Sequence, residues 1–223
     1  MPPPLAVLRT VRCVCIDVPG LLLRVSSSTS ADGIAEVQRR FARVLARLGL
    51  SLTISHADRL PPVGGFTLMW NQTSHLDHLI VGLAVSRPFF TLYNNAVARF
   101  PLYGRILRDS GHVHVDRTDP AQWRPAIARA AARVAAGECV IVSPEGTRSR
   151  DGALLPFKKG AFQLACAAAR PIVCLTVRGA HEALPRGAFV VRPGRITVDF
   201  SPPIATDAAE DVVMARVAAA LRV

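Results

Sequence analysis

The sequence predicts a single α/β domain in which a mixed, mostly parallel sheet is flanked by helices. Short apolar runs alternate along the chain with longer amphipathic segments, an order typical of strands joined by helical crossovers. The chain has 223 residues, of which 50% are hydrophobic. This is enough for one domain with a substantial core, whereas two full domains are not expected.

The individual elements follow from the period of the apolar positions. Strands are predicted at 50–55, 66–70, 89–93, 112–116, 139–143, 172–177, 188–191 and 195–200. A turn at Pro193-Gly194 is expected to join the last two strands in a hairpin. Helices are predicted at 34–48, 75–86, 121–136, 159–169 and 207–222. Asp119-Pro120 supplies a capping residue and a first position for the third helix.

The N-terminal segment differs from the rest of the chain. Residues 5–25 are apolar overall but contain four charged residues and a Pro19-Gly20 break. Each charge held at the centre of a bilayer would cost about 2.5–3.5 kcal/mol, so a membrane-spanning helix is not expected. Short helices lying in the membrane interface fit this pattern, as do helices packed on the domain. We divide the chain into an N-terminal interfacial helical segment with its linker (1–33) and an α/β domain (34–223).

The charge balance indicates an anionic partner. The net charge is +11 and the isoelectric point is about 10.8, which is compatible with nucleic acid, anionic lipid or a phosphorylated substrate. Aromatic residues make up only 6% of the chain, which leaves little material for base stacking. Nucleic acid is therefore not expected. The arginines of the 34–48 helix face away from its apolar positions, and they suit either solvent or the headgroups of an anionic membrane surface.

The cysteines and histidines do not indicate a metal site. The five cysteines are odd in number and form no CxxC pair, so buried thiols in a reducing compartment are expected. His112, His114 and Asp116 share one face of a predicted strand, but their spacing is not that of a metal site. We expect no metal and no bound organic cofactor.

The segment from Ser143 to Lys159 carries the strongest chemical signal. An apolar strand ends in the turn Ser-Pro-Glu-Gly-Thr-Arg-Ser, and a second turn leads to a helix that begins at Lys158-Lys159-Gly160. An anion site is predicted here, because turn amides, Arg148 and a helix N-terminus come together at one place. Lys158 and Lys159 are the only two lysines among 27 cationic residues, which suggests that a compact ammonium is required here.

Two further segments lie near predicted strand ends. The run Trp70-Asn-Gln-Thr-Ser-His-Leu-Asp follows a strand and begins a helix. Ser74 and Asp77 match a capping box, which gives both residues a structural explanation. Arg117 ends the strand that follows Gly111, where it is a candidate for contacting a phosphate.

Together these segments resemble the glycerolipid acyltransferase family that includes the 1-acylglycerol-3-phosphate acyltransferases. The resemblance covers roughly residues 50 to 200, in four blocks: 71–77, 111–117, 144–149 and 171–173. It departs from the family at four places. Gln72 replaces the histidine of the first block, Ser143 a phenylalanine and Cys174 a proline, and 94–97 reads Asn-Asn-Ala-Val where Lys-Lys-Glu-Leu is common.

The resemblance implies transfer of a fatty acyl group from a coenzyme A or acyl-carrier-protein thioester to the hydroxyl of a lysophospholipid such as 1-acylglycerol-3-phosphate. The first-block histidine would remove the hydroxyl proton, and Asp77 would orient it. The residues implied to bind the substrate are Arg117, Glu145, Gly146, Thr147, Arg148 and Lys158. A peripheral position at the cytoplasmic face of the membrane is also implied.

Gln72 conflicts with this activity, since glutamine has no group that titrates in the useful range. Loss of a general base typically slows a reaction by about 10²–10⁴. His75 lies three residues further along a helix start and points from a different side of the turn. Three explanations of Gln72 stay open. It is a deliberate inactivating substitution, or it marks a natural relative that binds lipid or acyl donor without transferring the acyl group. In the third explanation, the acceptor is an amine or another nucleophile that needs less help from a base.

Overall fold

The structure is a computed structural model that describes residues 31–99 and 101–222. The N-terminal segment 1–33, predicted to lie at a membrane surface, therefore falls outside the described residues except for residues 31–33. Cys13 and Cys15 also fall outside them.

Seven strands and eight α-helices are described in these ranges. The strands are β1 (Leu50–Ser55), β2 (Phe66–Trp70), β3 (Phe89–Tyr93), β4 (Val113–His114), β5 (Cys139–Val142), β6 (Ile172–Arg178) and β7 (Gly194–Phe200). The helices are α1 (Ala31–Arg47), α2 (Asp77–Ala84), α3 (Asn95–Ala98), α4 (Pro101–Asp109), α5 (Pro120–Ala135), α6 (Lys159–Ala168), α7 (Ala180–Ala183) and α8 (Glu210–Ala220).

The strands form one sheet in the order β1-β7-β6-β2-β5-β3-β4. Every neighbouring pair is parallel except β6 and β7. The predicted mixed, mostly parallel sheet is therefore confirmed. Since β2, β3, β4, β5 and β6 run in the same direction, the segments that follow them leave the sheet at one edge.

Helices cover both faces of the sheet. Side chains of β2 alternate, so Phe66, Leu68 and Trp70 join a core with α1 and α2. Met69 points to the other face, where the cores contain residues of α5, α6 and α8. All five residues of β2 are buried. This is the pattern expected of a strand that lies inside a parallel sheet with helices on both sides.

The predicted strand at 188–191 is wrong, and so is the hairpin at Pro193-Gly194. Residues 184–193 form an irregular loop, and β7 pairs antiparallel with β6 instead. The amide of Ala188 bonds the Pro185 carbonyl at 3.0 Å, and the amide of Arg192 bonds the Ala183 carbonyl at 2.8 Å. These bonds tie the segment to itself and to α7, so its apolar residues do not form a ladder.

Most other predicted strands and helices differ from the observed ones only in length. The strand predicted at 112–116 shrinks to β4, and α1 begins at Ala31 rather than near residue 34. The helices α3, α4 and α7 were not predicted, and α4 begins with a proline, which suits a first helical position. The Asp119 cap is confirmed, since its Oδ1 accepts the Ala121 amide at 2.9 Å.

Cys139 and Cys174 are buried free thiols, as predicted, and Cys166 is partly buried. Within the described ranges, no helix has both the length and the apolar character needed to cross a membrane.

Candidate active site

Three segments meet at the edge where the parallel strands end. The first block follows β2, the loop 143–149 follows β5, and Arg117 follows β4. In open α/β sheets this edge is where ligands bind. The sheet thus brings together residues that are more than 70 positions apart in the sequence.

Asn71 fixes the first block to the neighbouring strand. Its buried side chain donates from Nδ2 to the Val177 carbonyl at 2.8 Å and accepts the Val177 amide at Oδ1, at 2.7 Å. The amide side chain thereby continues the pairing of β2 with β6 one residue beyond the strand. The backbone at position 72 is positioned by this clamp.

Asp77 is fully buried, and only one of its oxygens is used. Oδ2 accepts the amides of Thr73 at 2.7 Å and Ser74 at 2.8 Å. Oδ1 is buried without a hydrogen-bond partner among the described residues. A buried acceptor left without a partner costs about 1–3 kcal/mol, so it calls for an explanation.

The predicted capping box is only half formed. The Asp77 carboxylate accepts the Ser74 amide, as the motif requires, but Ser74 Oγ does not bond the Asp77 amide. Instead Ser74 Oγ accepts the Leu76 amide at 3.1 Å and donates to the Leu184 carbonyl at 2.8 Å. The first turn of α2 is therefore linked to the loop that follows α7.

Burial raises the pKa of Asp77 to about 7. The Thr73 and Ser74 amides and the Arg148 charge lower this pKa, and the nearby Glu145 charge raises it. Desolvation prevails because the carboxyl group is shielded from water. Asp77 thus changes charge near neutral pH rather than near pH 4.

We expect Asp77→Asn to remove a pH dependence from the free energy of unfolding. Because the folded pKa lies above the unfolded value, the folded protein binds more protons between about pH 4 and 7. The contribution of Asp77 is therefore most favourable below pH 4 and is lost as the pH rises through 7. Relative to the parent, Asp77→Asn should gain stability between pH 5 and pH 8, on the order of a few kcal/mol. Urea unfolding of both proteins at pH 5 and pH 8 measures this gain. The prediction is refuted if the difference in unfolding free energy between the two proteins is the same at both pH values.

Glu145 joins the two loops. Its Oε1 accepts the Gln72 amide at 2.8 Å and its Oε2 accepts the Leu155 amide at 2.7 Å. The Ser149 amide donates to the Gln72 carbonyl at 2.8 Å. The backbone of Gln72 is thus held on both sides by the loop after β5. The role of Glu145 in binding substrate stays a prediction, because both of its oxygens contact backbone amides.

Arg117 and Lys158 meet at Gly146. Arg117 Nη1 donates to the Gly146 carbonyl at 2.8 Å. Gly146 has a φ of 66°, and a Cβ there would lie 2.9 Å from Arg117 Nη1 and 3.5 Å from Lys158 Cγ. Glycine is favoured at this position by its positive φ, and any side chain there would also require Arg117 to move. Two of the predicted cations therefore converge over one turn.

Arg148 lies on the Asp77 side of the same loop. It is half-buried, and its Nη1 is buried without a hydrogen-bond partner among the described residues. Burial and the nearby Arg186 lower the pKa of Arg148, whereas the Asp77 charge raises it. Partial burial and the Arg148 charge hold the pKa of His75 below its usual value. A desolvated guanidinium with an unused donor suits an anionic ligand.

Two site residues predicted from the sequence are more exposed. Thr147 lies at the exposed tip of the turn, and Lys158 is exposed at the cap of α6. The sequence did not indicate Arg186, whose Nη1 donates to the Arg148 carbonyl at 2.9 Å. No motif surrounds Arg186, so only the folded loop reveals its link to the site.

His112, just before β4, and His114, within β4, lie at the outer edge of the sheet, away from Gln72. His112 Nδ1 accepts the Thr91 amide at 2.9 Å, and His114 Nε2 lies 2.6 Å from Asn95 Oδ1. With Asp116 they line a cavity of about 760 Å³ between α4 and α5. Among the described residues, no three His, Cys, Asp or Glu side chains are placed to hold a metal ion. Asn94, which departs from the family, caps α3 by accepting the Val97 amide.

A comparison with known proteins identifies the family. Residues 51–178, more than half of the chain, match the sequence model of the Acyltransferase family. The chain belongs to the Acyltransferase family. This match agrees with the resemblance to glycerolipid acyltransferases seen in the four blocks.

Several relatives are named 1-acyl-sn-glycerol-3-phosphate acyltransferase. The protein from Limnanthes douglasii is 44% identical over 110 residues, which are 48% of this chain and 39% of the relative. The protein from Escherichia coli (strain K12) is 25% identical over 201 residues, 89% of this chain and 80% of the relative. The match thus spans less than half the length of the plant relative.

The fold of this family member is also that of a solved relative. The crystal structure of a 1-acyl-sn-glycerophosphate acyltransferase from Thermotoga maritima superposes with a TM-score of 0.76 at 19% sequence identity. The superposition covers 97% of this chain and 93% of the other. The two chains therefore share the same fold.

Proposed function

We propose that this Acyltransferase family member transfers a fatty acyl group from a coenzyme A or acyl-carrier-protein thioester to the hydroxyl of a lysophospholipid such as 1-acylglycerol-3-phosphate. Family membership and the names of the relatives support this proposal. Three cationic side chains at the carboxyl edge of the sheet support an acceptor that carries a phosphate. In the reaction the acceptor oxygen bonds to the thioester carbonyl carbon, the carbon–sulfur bond breaks, and the thiol leaves with the hydroxyl proton.

The Asp77 oxygen that has no partner within the described ranges is the observation that carries the proposal. A buried carboxylate with a free Oδ1, five residues after position 72, is what a histidine at that position would need as a partner. Such a carboxylate fixes the orientation of the imidazole and stabilises its protonated form. Gln72 offers no proton acceptor of comparable strength. We infer that the protein transfers acyl groups slowly, at a site whose other parts are present.

The phosphate of the acceptor would lie against the loop 143–149. Arg148 has a buried donor without a partner among the described residues, and Arg117 and the stem of Lys158 lie against Gly146, so each of the three is a candidate to contact the phosphate. Turn amides near Thr147 supply further donors. In this proposal Glu145 acts as a positioning residue, because its carboxylate holds the backbone of Gln72 and of Leu155.

Gln72 also supports two alternatives. The protein is then either a catalytically silent relative that binds lipid or acyl carrier protein, or an acyltransferase whose acceptor is an amine or another nucleophile. A silent relative would keep the cations at the loop while losing the base, which is the combination present at this site.

We also propose that the protein works as a peripheral protein at the cytoplasmic face of the membrane. The charge of +11 favours an anionic surface. Within this proposal residues 1–33 form an interfacial segment and residues 34–223 the acyltransferase-like domain.

A transfer assay with matched acceptors tests the function. The full chain is incubated with palmitoyl-coenzyme A or palmitoyl-acyl carrier protein and with lysophosphatidate, monoacylglycerol or lysophosphatidylethanolamine, and acylated products are quantified by mass spectrometry. We expect slow formation of phosphatidate above the level of a reaction without protein. If only the amine of lysophosphatidylethanolamine were acylated, the protein would be an acyltransferase with an amine acceptor, and the proposal would be wrong. Tight binding of lysophosphatidate without any product would replace it with the first alternative, a catalytically silent relative.

A further inference from the structure

The loop between α7 and β7 presents the most exposed large apolar side chain among the residues whose burial is described. Phe189 is 88% exposed, and the next most exposed such residue, Val63, is 80% exposed. An aromatic ring held in water is unfavourable, and a single exposed valine is common on protein surfaces. Phe189 therefore calls for an explanation beyond local packing.

This loop is fixed at its base rather than loosely attached. Leu184 and Val191 are buried in the core at its two ends. The Arg192 amide donates to the Ala183 carbonyl at 2.8 Å, and a turn closes between Ala188 and Pro185 at 3.0 Å. The scaffold thus holds Phe189 outward in a defined direction.

The same loop is bonded to the candidate active site. Arg186 Nη1 donates to the Arg148 carbonyl at 2.9 Å, and the Leu184 carbonyl accepts Ser74 Oγ at 2.8 Å. The loop follows β6, which is parallel to β2, so it lies at the carboxyl edge of the sheet. Val63 precedes β2 and therefore lies at the opposite edge.

The charge of the loop is one-sided. Residues 184–193 contain Arg186 and Arg192, both exposed, and no acidic residue, and the exposed Arg195 follows in β7. An outward aromatic ring flanked by arginines combines apolar insertion with attraction to anionic headgroups. An acidic protein partner would explain the arginines, but the isolated ring suits the apolar interior of a membrane better than a flat protein interface.

We propose that the loop 184–193 docks the protein on an anionic bilayer by inserting Phe189 among the lipids. The candidate active site then faces the membrane surface, since Arg148 is one hydrogen bond away from this loop. This membrane contact goes beyond the proposed function. It depends on the proposed function only because the proposed acceptor is a membrane lipid.

The experiment uses the full chain and vesicles that contain no lysophospholipid or thioester. Phe189→Trp is compared with Val63→Trp in vesicles of phosphatidylcholine and phosphatidylglycerol, with the emission of the parent protein subtracted. We expect a blue shift and strong quenching by brominated lipid for Phe189→Trp and neither for Val63→Trp. Because this readout is local, it stays informative when another segment also binds the membrane.

Binding is measured in parallel by sedimentation with the same vesicles. Phe189→Ser should lower the partition coefficient by roughly tenfold, whereas Val63→Ser should change it less than twofold. Equal loss in both variants, or no quenching at position 189, would overturn the proposal. A blue shift that grows with protein concentration in the absence of lipid would assign the loop to self-association and also overturn it. An inactive protein whose loop inserts would refute only the proposed function.

Discussion

Replacing Gln72 with histidine is expected to raise the rate of acyl transfer to lysophosphatidate by about a hundredfold or more. General-base assistance typically contributes a factor of 10²–10⁴, and each tenfold change corresponds to about 1.4 kcal/mol of barrier. The Asp77 Oδ1, which lacks a partner among the described residues, can accept a hydrogen bond from the new imidazole. The backbone at position 72 is already held by Glu145 and Ser149. Steady-state rates of both proteins with the same thioester measure the gain.

Two variants separate a restored base from a nonspecific effect. Gln72→Asn changes the length of the amide side chain without adding a base, and it should show no gain. The double variant Gln72→His with Asp77→Asn keeps the imidazole but loses the carboxylate that stabilises its charged form, so it should lose most of the gain. Equal rates for the parent and Gln72→His would mean that the base lies elsewhere or that residue 72 does not occupy the position of the family's histidine.

The sheet was predictable because its signals are local. The strand β5 is an unbroken apolar run and β2 is interrupted only by Thr67. Both lie next to turn residues, and such runs form the buried interior of a parallel sheet. The run at 188–191 carries a similar signal but forms a loop. Whether this run forms a strand depends on bonds such as that from the Arg192 amide to the Ala183 carbonyl, which the pattern of apolar residues does not indicate. A short apolar run is therefore ambiguous until its partner strand is known.

The site was predictable in its residues but not in their contacts. The block patterns indicated Asp77 and Glu145, yet the pattern assigns Glu145 to the substrate, whereas its oxygens bind two backbone amides. The unused oxygen of Asp77 is also a property of the folded site alone. Arg186 had no signal at all, because its contribution arises from a contact across 38 positions of sequence.

Arg148→Ala is expected to weaken the binding of lysophosphatidate by roughly tenfold to a hundredfold. Each charge-assisted hydrogen bond contributes about 1.5–3 kcal/mol, and the buried Nη1 of Arg148 has no partner among the described residues that would compete with a phosphate. The backbone at Arg148 should stay in place, because its carbonyl is held by Arg186 and the next amide by Gln72. The loss therefore reports the side chain rather than a collapse of the loop.

A neighbouring arginine and a neutral ligand supply the controls. Arg150→Ala removes the same charge two residues away, from an exposed side chain, and it should change the affinity less than threefold because exposed charges are screened by solvent and salt. Phosphate-free monoacylglycerol should bind parent and Arg148→Ala almost equally. Calorimetric titration of both ligands against all three proteins measures binding without turnover, so the result does not depend on Gln72. If Arg148→Ala weakened both ligands alike, Arg148 would be a structural residue and the phosphate-bearing acceptor would lose its main support.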